Sequence, residues 1–125
     1  MKKSYRIKKE KEFKQIIQKR QSFANRHLIV YVRLNEESDH FRVGLSVGKK
    51  IGNAVTRNRV KRQIRQSVFE LQEDIVLPYD LVIIARPNIV QLSTLEVKEN
   101  LRHVLQIANV IGKRGKESEE KTVDV

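Results

Sequence analysis

The chain has 125 residues, with 26 Lys and Arg against 15 Asp and Glu and a formal charge of +11. Its length suits one domain with a modest core, and its 41 Leu, Ile, Val and Phe residues are too many for a disordered polycation. The absence of cysteine excludes disulfides, thiolate metal sites and a cysteine nucleophile, no apolar run approaches the roughly 20 residues of a membrane span, and the basic start Met1–Arg6 leads into no apolar signal core. A soluble, cytoplasmic protein is the expectation.

In chain order, a first helix is predicted from about Lys9 to Lys19, where Phe13, Ile16 and Ile17 form one narrow apolar stripe. A strand follows over His27–Leu34, with Leu28, Val30, Val32 and Leu34 on one face and Ile29, Tyr31 and Arg33 on the other. After the polar turn Asn35–Asp39, a second strand alternates strictly. Phe41, Val43, Leu45 and Val47 face one way, and Arg42, Gly44 and Ser46 the other. So short a link predicts that these two strands pair antiparallel. Their shared second face, with Tyr31, Arg33, Arg42, Gly44 and Ser46, is expected to be open or only partly covered.

Lys49–Asn53 is a basic, turn-rich link ending in a good helix cap, Asn53. A helix then runs from about Val55 to Glu73, with Val60, Ile64, Val68, Leu71 and Ile75 as its apolar stripe. The short apolar run Leu81–Ala85, between Pro78 and Pro87, predicts a central strand buried on both faces. Ser93 and Glu96 form a capping-box pattern, with Leu92 and Val97 as its staple. The helix they open buries Val97, Leu101, Val104, Leu105 and Ala108. Residues 1–112 are expected to form one α+β domain, with the polar tail 113–125 disordered.

Charge placement is more informative than its total. Residues 1–65 carry 19 basic and 5 acidic side chains, whereas residues 66–125 carry 7 basic and 10 acidic ones. The densest segment is Lys49–Arg65, KKIGNAVTRNRVKRQIR, with seven basic residues and no acidic one. On a helical wheel Arg57, Lys61, Arg65, Asn58 and Arg62 occupy an arc of about 140°, opposite the apolar stripe. Like charges at this density, with no carboxylate before Glu70, call for a polyanion to complete them. Arginine dominates, which favours bidentate contact with phosphate and base edges. A lipid surface would want a spare apolar insertion face, and here the core needs that face.

The segment SVGKKIGNAVTRNRVKRQIRQ closely resembles the signature of the protein subunit of bacterial ribonuclease P, centred on Arg57-Asn58-Arg59. RIKKEKEFKQII, SFANRHLIVYV, FRVGLSV and DLVIIARP resemble further family segments in the same order, so that residues 3–110 are covered. The resemblance implies a fold of order α-β-β-β-α-β-α, the type shared with the second domain of a ribosomal protein. That order has one strand more than the pattern gives, and residues around Ser22–Arg26 either form it or extend the first strand. It also implies a left-handed crossover between parallel strands, against a rule obeyed in about 98% of such units.

The same resemblance implies a non-catalytic partner of a catalytic RNA that removes the 5′ leader from precursor transfer RNA, the magnesium ions being held mainly by the RNA. No cofactor is then tightly bound by the protein, which is expected as a monomer in a 1:1 complex with that RNA. By position, Lys49, Lys50, Arg57, Asn58, Arg59, Lys61, Arg62 and Arg65 are implied to lie against the catalytic RNA. Phe13, Ile17, Tyr31, Arg33 and Ser46 are implied to line a cleft for the single-stranded leader. Aromatic surfaces beside a basic groove suit stacking of unpaired bases. Phe13 and Ile17 read equally well as plain packing of the first helix on the sheet.

No catalytic or metal-ligating set is predicted in the protein itself. His27, His40 and His103 are far apart in sequence, and Glu36, Glu37 and Asp39 read as a polar loop. Phosphate-binding glycine motifs are absent. A DNA-binding regulator would want a helix-turn-helix partner and a dimer face, and neither is visible. A generic structural RNA-binding protein need not carry the Arg57-Asn58-Arg59 signature.

Overall fold

A computed structural model describes residues 3–112; the tail expected to be disordered lies outside the described residues. The elements are α1 (Glu10–Gln18), β1 (Ser22–Ala24), β2 (Leu28–Leu34), β3 (Arg42–Ser46), α2 (Ala54–Leu71), β4 (Tyr79–Ala85) and α3 (Thr94–Ile107). This is the α+β order expected, and β1 is the extra strand implied near Ser22. The helix ends follow local chemistry. Asn53 Oδ1 accepts the Thr56 N–H at 2.9 Å and starts α2. Ser93 and Glu96 close a reciprocal capping box at the head of α3.

The sheet has four strands in the order β1-β2-β4-β3, which corrects the expectation that the second and third strands pair with each other. β4 lies between them, antiparallel to β2 and parallel to β3. The cause is the apolar character of β4. Leu81, Val82 and Ile83 are fully buried, and a strand buried on both faces belongs in the middle of a sheet. The link from β2 to β3 passes across the head of β4, where the Asn35 N–H donates to Pro78 O at 2.9 Å. α2 supplies the long crossover that a parallel β3–β4 pair requires.

The two faces of the sheet are covered unequally. On one, Leu28, Val30, Val32, Val43, Leu81 and Ile83 pack against Val60, Ile64, Val68 and Leu71 of α2 and against Val97, Leu101, Val104 and Leu105 of α3. On the other, the small helix α1 inserts Ile16, fully buried, against Val82 and Ile7, with Phe13, Tyr31 and Ile84 half-buried around them. The tip of the Phe13 ring meets Gly44, so closely that a methyl group built there would overlap it. The face expected to be open or only partly covered is thus roofed at its centre and open at its margins.

Candidate nucleic-acid interface

Two groups of cations on this molecule contrast. Arg33 and Arg42 are the register partners of Asp80 on the two strands that flank β4. All three side chains meet on the α1 face. Arg33 reaches Asp80 Oδ2 at 2.6 Å, and Arg42 grips both Asp80 oxygens at 2.9 Å and Glu12 of α1 at 2.8 Å. Asn35 adds a fourth contact at 3.2 Å. Burial pushes the Asp80 carboxyl upward, but hydrogen bonds from Arg42 and Arg33 outweigh that and hold it below the usual carboxylate range. These arginines are therefore already neutralised by the fold.

The cations around α2 are not. Lys49 and Lys50 sit exposed on a short 3₁₀ turn ahead of the helix. Asn58, Arg59 and Arg62 are exposed on α2, and Arg57, Lys61 and Arg65 half-buried. Among the described residues, no carboxylate pairs with any of these lysines and arginines. Arg59 donates only to the Val90 carbonyl, at 3.2 Å. The nearest acid in sequence, Glu70, is taken by Lys98 at 3.0 Å and Gln66 at 2.6 Å. The stripe Val60, Ile64, Val68 and Leu71 is buried as expected, so packing turns the cationic arc outward.

The leader-cleft candidates gather at the other face. Phe13, Tyr31 and Ile84 form its half-buried floor, Ile17 stands 37% exposed on α1, and Ser46 is exposed at the end of β3. Phe13 serves both core and surface, while Ile16, not Ile17, anchors the helix. Arg33 borders this cleft through its pair with Asp80. The cleft and the α2 face thus lie on opposite sides of one sheet.

The linear pattern overlooked part of the α2 surface. Arg59, Arg62 and Arg65 line an open groove of about 620 Å³ with Gln63, Gln66, Phe69 and Thr94. A signal for it was present, because Phe69 falls within the cationic arc, at about 120° from Arg57, where an apolar residue has no core to enter. The histidines do not converge. His40 stacks on Tyr5 with ring centroids 3.8 Å apart, His103 lies beside Asn25, and His27 precedes β2. Burial, with Arg26 and Arg86 nearby, lowers the His27 pKa. Among the described residues no helix is long and apolar enough to cross a membrane.

Comparison with known proteins agrees with this geometry. The family model described as Ribonuclease P matches residues 1–109. The ribonuclease P protein component of Enterococcus faecalis is 58% identical over 114 residues, covering 91% of this chain and 97% of that protein. That of Ligilactobacillus salivarius is 54% identical, covering 90% and 99%. The solved ribonuclease P protein of Staphylococcus aureus superposes with a TM-score of 0.81 at 46% identity, over 86% of this chain and 98% of that one. The protein from Thermotoga maritima gives 0.74 at 28% identity, over 81% and 94%. An α+β sheet with an uncompensated arginine helix, matched over nearly its whole length, places the chain in the ribonuclease P protein family, and with it in 5′ processing of transfer RNA.

Proposed function

We propose that the chain binds the catalytic RNA of ribonuclease P through α2 and the 5′ leader of precursor transfer RNA through the cleft beneath α1. The observation that carries this is the contrast in cation pairing. The fold satisfies Arg33 and Arg42 internally, yet leaves Lys49, Lys50, Arg57, Arg59, Lys61, Arg62 and Arg65 without a carboxylate. Such a surface completes its electrostatics with phosphate. Phe13, Ile17 and Tyr31 offer apolar and aromatic surface for unpaired bases of the leader, with Ser46 as a polar edge and the paired Arg33 at the margin. The cutting belongs to the RNA and its magnesium ions, in a 1:1 cytoplasmic complex in which the protein holds substrate and RNA together.

Reconstitution tests this reading. The protein is mixed with a bacterial ribonuclease P RNA and precursor transfer RNA at low magnesium, and leader removal is measured. Stimulation over RNA alone is expected, and its absence would sink the proposal. Arg57→Ala or Arg59→Ala is expected to weaken assembly with the RNA by about tenfold, the worth of one charge-assisted hydrogen bond. Tyr31→Ala is expected to weaken mainly substrates with a long leader. Equal loss on leaderless RNA would remove the cleft assignment.

A further inference from the structure

Phe69 is 54% exposed in a groove whose other lining residues are all polar or cationic. The core does not need it, since Val60, Ile64, Val68 and Leu71 complete the buried stripe of α2. Its neighbours in the groove are Arg59, Arg62 and Arg65, none with a carboxylate partner. Gln63 donates to Thr94 Oγ1 at 3.3 Å, which ties α2 to the head of α3 beside the groove.

A ligand that fits must bring negative charge and a flat apolar face within one short span. A nucleotide of single-stranded RNA brings both: phosphate for the guanidinium groups and a base for the phenyl ring. A paired nucleotide keeps its base faces inside the stack and offers phosphate alone. We propose that the groove between α2 and the head of α3 holds an unpaired RNA nucleotide, its base stacked on Phe69 and its phosphate on Arg62 and Arg65. This rests on the reading that α2 faces RNA, and adds that the RNA presents an unstacked base there.

The chain contains no tryptophan, so Phe69→Trp introduces a single indole emitter at an exposed position. A short oligoadenylate is expected to quench its emission saturably, with an effect that weakens as salt rises. A blunt RNA duplex of equal length is expected to leave the emission unchanged. Phe69→Ala is expected to weaken oligoadenylate binding by about tenfold and Phe69→Tyr to preserve it, as for one stacked base. The leader cleft lies across the sheet, so a strand bound there leaves the indole dark to the titration. If labelled oligoadenylate gains anisotropy while the emission stays constant, the groove assignment is overturned and RNA binding stands. Equal quenching by the duplex also overturns it, as does quenching by an acidic peptide alone. If neither RNA binds, the assignment of α2 to RNA falls as well.

Discussion

Asp80 is fully buried between two arginines from the flanking strands. Its charge keeps Arg33 and Arg42 compatible with one another, and Arg42 in turn bridges it to Glu12 of α1. Asp80→Asn leaves two guanidinium groups facing an amide, and is expected to cost about 3 kcal/mol in urea unfolding. The pH dependence follows from the sign of the shift. The folded carboxyl titrates below its ordinary value of 3.8, so the unfolded chain binds the proton first. Its contribution is complete above the unfolded value and is lost as pH falls through the lower folded one. Urea midpoints followed from neutral pH into the acid range are expected to fall for the native chain. The fall is expected to be shallower for Asp80→Asn. Gly44 sets a steric condition on the same face. A Cβ there overlaps the Phe13 ring, so Gly44→Ala is expected to lift α1, cost about 1–3 kcal/mol and loosen the cleft that Phe13 floors. Leader-dependent binding measured beside urea stability checks both effects.

Elements written by local rules were legible, and those decided by distant partners were not. The capping box of α3 is spelled by Ser93 and Glu96 alone, and Ser93→Ala is expected to cost about 1 kcal/mol in the same unfolding assay. Asn53 and the stripe from Val60 to Leu71 announced α2 and its buried side equally well. Strand order was different. Seven residues link Leu34 to Arg42, a length that suits a hairpin, but β4 offers Leu81, Val82 and Ile83 to both neighbours and wins the central place. That competition involves residues some 40 positions apart, and no local pattern expresses it. The consequences for the site are concrete. Arg33 and Arg42 read as part of an open, partly basic face until β4 brings Asp80 between them. The cations from Arg57 to Arg65 fall outside the buried stripe of α2, as the phase of one helix predicts without reference to anything else. Phe69 was visible in that same phase, but its meaning depends on the groove made with Thr94 of α3.

At the scale of the whole molecule, the placement of charge and not its total governs RNA affinity. The formal charge of +11 includes cations that the fold neutralises, such as Arg33 and Arg42, and others, those of α2 among them, that meet no carboxylate among the described residues. Only a cation of the second kind that touches phosphate displaces counterions from RNA when the complex forms, and each phosphate contact contributes about 0.7–0.9 to the slope of log affinity against log salt. Arg59→Gln and Arg102→Gln remove the same formal charge. Arg59 donates only to a backbone carbonyl at 3.2 Å, whereas Arg102 pairs with Glu99 on α3 at 3.6 Å. Binding to ribonuclease P RNA, measured over a series of monovalent salt concentrations at fixed magnesium, is therefore expected to lose about one contact's worth of slope for Arg59→Gln. For Arg102→Gln the slope is expected to stay as it is in the native chain. Equal losses from the two substitutions would mean that RNA senses the protein as a diffuse polycation. The arginine face of α2 would then have no privileged role.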